Sequence, residues 1–241
     1  PNGYPTNGLF DATHSITVVG IDPYLEIAGG LSVIDEGAST VWTLRRQGSG
    51  STTGTLTVNL VVSSTNVINL SEASVTIPDG ASTVDFTVYA LDGSGTGSGA
   101  TVTATATSST NYPVVARQIT VRNVAPVVTG ASVSPLNPAI TETVYAQFNA
   151  TDAALPDRPG LMGRWNWGDG SADSVVALGA TASHAYAEDG SYTVTLTVTD
   201  KDGGATTHVT TWDVVVSAGY TLTVTIPGTG YQGLQGIGSG T

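Results

Sequence analysis

The chain has 241 residues, 19 acidic side chains against 7 basic ones, a formal net charge of -12 at pH 7 and no cysteine. So acidic a balance repels phosphate backbones and anionic lipid, which argues against nucleic acid as a partner, and no apolar run nears the roughly 18 residues that span a bilayer. Without thiols there are no disulfides and no thiolate metal sites, and a composition rich in Thr, Ser, Val and Gly with a single lysine, Lys201, argues against helix.

The length suits two domains of about 100 residues, each able to bury its own core. In chain order, residues 1–21 contain "HSITVVG", a strand with no partner nearby, and read as the end of a preceding module or as an exchanged strand. Residues 1–20 lack the basic start and apolar stretch of a signal peptide, and the chain opens and closes mid-pattern, as a piece of a longer protein would. Residues 22–123 carry alternating segments: "TVWTLRR", "GTLTVNLVV", "SVTIPDG", "STVDFTVYAL", "ATVTATATS" and "ARQITVRN". Turn residues separate them at roughly 8–12-residue intervals, the spacing of a β-sandwich.

"NVAPVVTG" then reads as a short, stiff joint that limits bending. The second set, within residues 124–217, is "VTGASVS", "TETVYAQFNA", "GRWNW", "YTVTLTVTD" and "ATTHVTTWDVVV". Residues 218–241 begin with the strand "YTLTVTI" and dissolve into glycine, as the start of a following module or a linker. The expected fold is all-β: tandem immunoglobulin-like β-sandwich domains.

The segment "RWNWGDGS" (164–171) is the most distinctive. In a strand, residues two apart share a face, so Trp165 and Trp167 point one way and Arg164 and Asn166 the other. Gly168-Asp169-Gly170 supplies the tight reversal that follows. Burying 150–250 Å² per indole at about 25 cal/mol/Å² gives roughly 4–6 kcal/mol gross for each ring, so both are expected in the core. Downstream, Tyr192, Val194, Leu196 and Val198 alternate on one face of a long central strand, and Asp189-Gly190 turns the chain into it. A tyrosine so placed resembles the tyrosine corner of sandwich domains.

"WNWGDGS", "HAY" and "DGSYTVTLTVTDKDGG" together resemble a polycystic kidney disease (PKD) repeat over about residues 125–217. The family pattern is Trp-x-Phe-Gly-Asp-Gly, His-x-Tyr, Gly-x-Tyr-x-Val-x-Leu-x-Val and Asp-x-x-Gly. Trp165 takes the Trp position, Trp167 replaces Phe, and His184, Tyr186, Tyr192 and Asp200 fall in register. The resemblance implies an immunoglobulin-like sandwich used as a spacer or contact module in extracellular proteins. "TDAALPDRPGLMG" departs from the Ser- and Asp-rich loop usual before the Trp strand. The first module is similar, more loosely, to Calx-beta and related repeats of bacterial surface proteins, through "LSVIDEGAST" and "VTIPDGASTVDFTVYALDG". Calcium-binding Calx-beta domains line one end with carboxylates, and here Asp35, Glu36 and Asp92 stand near candidate loops.

Catalytic motifs are absent: there is no Gly-x-Ser-x-Gly elbow, no His-Glu-x-x-His and no phosphate-cradling loop opening a helix. The histidines, His14, His184 and His208, are far apart in sequence. Calcium is the one cofactor the acidic loops suit, because it takes carboxylates and loop carbonyls. The candidate ligands are Asp200 and Asp202 in "DKDGG", joined by Asp152 and Asp157, although Asp before Gly is also ordinary turn chemistry. Tyr4, Tyr220 and Tyr231, flanked by glycines, are candidate contacts to sugar or a partner; Asn69 and Asn149 head glycan-acceptor triplets.

The expected function is a non-catalytic pair of structural modules in a secreted or cell-surface protein, a spacer or a subunit of a filament or surface layer. Its partners would be neighbouring copies or modules, through strand addition at open edges. The alternative is a carbohydrate- or protein-binding accessory of a secreted hydrolase or adhesin.

Overall fold

The computed structural model describes residues 20–218, with the side chains of 207–211 outside the described set. The described chain is all-β apart from one 3-10 turn, Arg158–Gly160. It divides into two compact units: the described part of Pro1–Val128 with Ala150–Met162 and Val198–Thr206, and Thr129–Asn149 with Gly163–Thr197 and the described part of Thr207–Thr241.

The strands of the first unit are β1 (Tyr24–Ala28), β2 (Val33–Asp35), β3 (Ser39–Gln47), β4 (Leu56–Val62), β5 (Ile68–Leu70), β6 (Ser74–Ile77), β7 (Thr83–Ala90), β8 (Ser98–Ala106) and β9 (Val115–Arg122). They form two sheets, in the orders β1-β3-β7-β5 and β2-β9-β8-β4-β6. The period-2 pattern sets what each sheet buries. On β3, Thr40, Trp42, Leu44 and Arg46 point inward; on β8, Ala100, Val102 and Ala104 do, leaving Thr101, Thr103 and Thr105 on the other face. β2 runs parallel to β9 and contributes Ile34 to the core.

Trp42 meets the edge of Phe86 at 6.2 Å, and its indole N–H donates to the Leu31 carbonyl at 2.9 Å. The Arg117 guanidinium lies 4.2 Å over the same indole while donating to the carbonyls of Gly29 and Gly30. Arg46 is 2% exposed, and its guanidinium is spent on main-chain carbonyls: Ala81 at 2.8 Å, Gly54 at 2.7 Å, Thr52 at 2.9 Å and Pro78 at 2.7 Å. It ties together the loops at that end of the sandwich.

The second unit is built on β10 (Val127–Ser134), β11 (Thr143–Thr151), β12 (Met162–Asn166), β13 (Ser174–Ala177), β14 (Ala182–Ala185), β15 (Gly190–Thr199) and β16 (Ala205–Val216). Its sheets are β10-β11-β14 and β13-β12-β15-β16, the two-sheet arrangement of an immunoglobulin-like sandwich. β11 and β14 pair antiparallel, with Val144 opposite His184. Val144, Ala146 and Phe148 of β11 are buried, as are Trp165 of β12 and Val194 and Leu196 of β15. Gly163 is required here, since a Cβ would run into the Phe148 ring.

Trp165 and Trp167 are 0% and 1% exposed, with ring centroids 6.4 Å apart, and Trp212 closes on Trp165 at 5.5 Å. From Trp167 an aromatic ladder continues through His184 at 5.0 Å to Tyr186 at 4.7 Å and Tyr192 at 4.4 Å. Tyr186 is 1% exposed and donates its hydroxyl to the Trp167 carbonyl at 3.0 Å; burial pushes its pKa up to about 12, helped by the Asp169 charge. Tyr192 is half-buried and donates back to the Glu188 carbonyl at 3.1 Å.

Candidate metal centre

The connections β11–β12 and β15–β16 both belong to the first unit, where they bring Asp152, Asp157 and Asp200 beside Glu36 and Asp92. Each loop is shaped by its own acids. Asp152 Oδ1 accepts from the Ala154 N–H at 2.9 Å, an Asx turn, and Arg158 Nε donates to the Asp152 carbonyl at 3.0 Å. Asp200 Oδ1 accepts from the N–H groups of Asp202 at 2.8 Å and Gly204 at 2.9 Å, and its Oδ2 from the Asn123 amide at 3.0 Å. Glu36 accepts from Gly93 N–H and Val124 N–H, both at 2.8 Å.

The carboxylates therefore turn inward. Asp157 is 0% exposed, Glu36 2%, Asp152 3% and Asp200 7%. Oxygens of Asp152, Asp157 and Asp200 lie within 4.8 Å of one another, and so do oxygens of Glu36, Asp92 and Asp157. Lys201 Nζ stands 2.6 Å from Asp157 Oδ1 and 2.8 Å from Asp92 Oδ1, and also contacts Asp202. Burial alone would lower the Lys201 pKa, but hydrogen bonds to Asp157, Asp202 and Asp92 outweigh it and raise it.

One ammonium leaves the cluster short of positive charge. Asp152 Oδ2, Asp157 Oδ2 and Asn123 Oδ1 are buried with no hydrogen-bond donor, an arrangement that costs free energy unless something pairs with them. Burial, reinforced by neighbouring carboxylates, raises the pKa of Glu36 and Asp152, against the backbone N–H groups that each accepts. Burial likewise raises Asp157 despite its contact with Lys201. Gly204 leaves room for the cradle, because a Cβ there would collide with Asp200 Oδ2 and the Asn123 amide. Hard, buried oxygens from three carboxylates, two of which carry an oxygen without a donor, fit a hard divalent cation such as calcium.

Asp152, Asp157 and Asp200 of the expected ligand set are thus brought together, whereas Asp202 turns to Lys201. Glu36 and Asp92 of the first module join them, and Asp35 instead pairs with Arg122 at 2.8 Å on the surface. Nothing in the sequence singles out Asn123, and the only signal for Lys201 is that it is the sole lysine. His184 holds Asp169 at 2.7 Å. Asn69 and Asn149 are exposed. His14, Tyr4, Tyr220, Tyr231, the strands "HSITVVG" (save Gly20) and "YTLTVTI", and the His208 side chain lie outside the described residues.

The Asp169 turn completes the pattern. Gly168 has φ 80°, and a Cβ there would strike the Thr193 carbonyl. Asp169 Oδ1 accepts from Ser171 N–H at 3.0 Å and Ser171 Oγ–H at 2.6 Å. Residues 123–216 match the PKD domain family.

The matched segment contains Asp152, Asp157 and Asp200, together with Asn123 and Lys201 that contact them, and Glu36 and Asp92 lie outside it in sequence. Among solved structures, the PKD domain of an M14-like peptidase from Thermoplasmatales archaeon SCGC AB-540-F20 is 23% identical, covering 39% of this chain and 97% of that one at a TM-score of 0.32. The D0-D1 domain of intimin is 11% identical over 83% of this chain and 97% of that one, at a TM-score of 0.31. Domains 5-6 of the S-layer protein SbsC are 18% identical over 82% and 99%, at 0.29. No curated protein matches the chain. Among the described residues no helix is long and apolar enough to cross a membrane.

Proposed function

We propose that the chain is a non-catalytic structural segment of a secreted or cell-surface protein, a spacer or a unit of a filament or surface layer. One calcium ion at Asp152, Asp157 and Asp200 would fasten the segments 150–162 and 198–206 to each other within the first unit. The observation that carries this reading is the set of buried carboxylate oxygens left without donors, Asp152 Oδ2 and Asp157 Oδ2. A solvated turn would not bury them, and a cation would satisfy both.

The groups with chemical potential elsewhere serve structure. His184 is held by Asp169 and stacked on Trp167, and Tyr186 caps a main-chain carbonyl. The match to the PKD family and the acidic, lysine-poor composition support a place outside the cell. Multi-angle light scattering and negative-stain microscopy of the purified chain test the role: single particles at all concentrations support a spacer, and filaments support a polymer subunit.

The alternative, a binding accessory, draws on one feature. A groove of about 820 Å³ is lined by Tyr89, Asn66, Asn69, Asp92 and Leu155, and Tyr89 and Leu155 are 43% and 68% exposed. An exposed ring with amides beside it suits a saccharide. Retention on insoluble polysaccharide, lost in Tyr89→Ala, would favour that reading over the spacer.

A further inference from the structure

Asp157 divides the acidic centre into two lobes. In the inner lobe Asp157 stands with Asp152 and Asp200; Asp157 Oδ2 and Asp152 Oδ2 are buried without a donor, as is Oδ1 of Asn123, whose amide donates to Asp200. In the outer lobe Asp157 joins Glu36 and Asp92, and there its Oδ1 contacts the Lys201 ammonium at 2.6 Å. Asp92 offers the same ammonium both oxygens, at 2.8 and 3.0 Å, and Asp202 approaches it too. All the lysine charge that the chain possesses is placed at this one point.

We propose that Lys201 is a tethered counter-cation that fills the outer lobe and limits the centre to a single divalent ion in the inner lobe. The inference rests on the calcium reading given above and adds to it a residue that sets ion number.

A tethered ammonium has a physical advantage over a second free ion. It is present at every calcium concentration, and it offsets part of the charge of Asp92 and Asp157 without placing two dications around one bridging carboxylate, where their repulsion is strong. Lys201 reaches from the loop that carries Asp200, so occupation of the outer lobe and the shape of the inner lobe are set together. Without the ammonium, Glu36, Asp92, Asp157 and Asp202 become an oxygen-only set with no cation, which is chemistry that a second hard ion accepts.

The test counts ions on the full chain. Native mass spectrometry and isothermal titration with calcium are run on the wild type, Lys201→Met and Lys201→Arg, with near-UV circular dichroism confirming that each variant is folded. The expected result is one ion in the wild type, one in Lys201→Arg and two in Lys201→Met. One ion in the wild type and still one in Lys201→Met would overturn the role of the lysine and leave the calcium reading standing. Two ions in the wild type would overturn the lysine's role as well. No ion in the wild type would overturn the calcium reading itself, and the inference with it.

Discussion

Arg46 offers the sharpest test of how the first sandwich holds its loops. Its guanidinium is 2% exposed and has four main-chain carbonyls between 2.7 and 2.9 Å as acceptors. Among the described residues no carboxylate forms an ion pair with it. Replacing Arg46 by Met keeps most of the apolar stem and removes every donor. Hydrogen bonds to a charged group contribute about 1.5–3 kcal/mol each, and a carbonyl left buried costs about 1–3 kcal/mol. Part of this is offset because a buried charge is also removed, so a net loss of about 3–5 kcal/mol is expected. For a module of about 100 residues that lowers the unfolding midpoint by more than about 10 °C. Arg46→Lys, which keeps the charge but not the planar fork, should fall in between. Urea unfolding followed by tryptophan fluorescence and near-UV circular dichroism reads the change. A loss below about 1 kcal/mol in Arg46→Met would mean that water replaces the guanidinium, and the account of this end of the sandwich would be wrong.

Three further outcomes are expected. Burial pushes the Asp169 carboxyl up, but hydrogen bonds from Ser171 and His184 outweigh it and hold the pKa below its ordinary value. A depressed carboxylate stabilises the fold above its unfolded pKa and loses that effect as pH falls through its folded one. Asp169→Asn should therefore cost about 1–2 kcal/mol at pH 7 and progressively less below about pH 4, as pH-dependent urea unfolding will report. A penalty that did not change with pH would contradict the assignment. Gly163→Ala forces a methyl into the Phe148 ring and should destabilise the second sandwich by about 1–3 kcal/mol; a neutral result in thermal unfolding would mean that the ring moves freely aside. Trp42, Trp165 and Trp167 are at most 1% exposed, so native fluorescence should be blue-shifted and poorly quenched by iodide, and red-shifted, readily quenched emission would refute the buried-indole core.

Much of the fold was legible because its strands are long enough to display a period. β3, β8, β11 and β15 run 8 residues or more, and each alternates mostly apolar inward positions with mostly polar outward ones. β2 and β5 are 3 residues each and β13 is 4, too short for alternation to separate a strand from a turn. β2 also pairs parallel with a strand more than 80 residues away, a relation that no local pattern carries. The reversal at Asp169 was legible because glycines and the His-x-Tyr spacing report local geometry.

The acidic centre was legible only in part. Asp152, Asp157 and Asp200 stand in turn-like loops whose composition suits calcium, but Glu36 and Asp92 belong to another stretch of chain and join them only on folding. Asp202, beside Asp200 in sequence, has its carboxylate drawn to Lys201 instead. Asn123 reads as a residue of the joint, and Lys201 falls within the turn "DKDGG". Their roles depend on burial, which the sequence around them does not encode.

Thermal unfolding of the purified chain in excess calcium and in excess chelator tests the central claim, that a bound cation completes the fold of the first unit. With calcium about 100-fold above its dissociation constant, linkage adds about 2.7 kcal/mol, which raises the midpoint of a module of about 100 residues by at least about 10 °C. The account predicts such a rise, reversed by chelator and abolished in Asp152→Asn. Superimposable unfolding curves with and without calcium would contradict it.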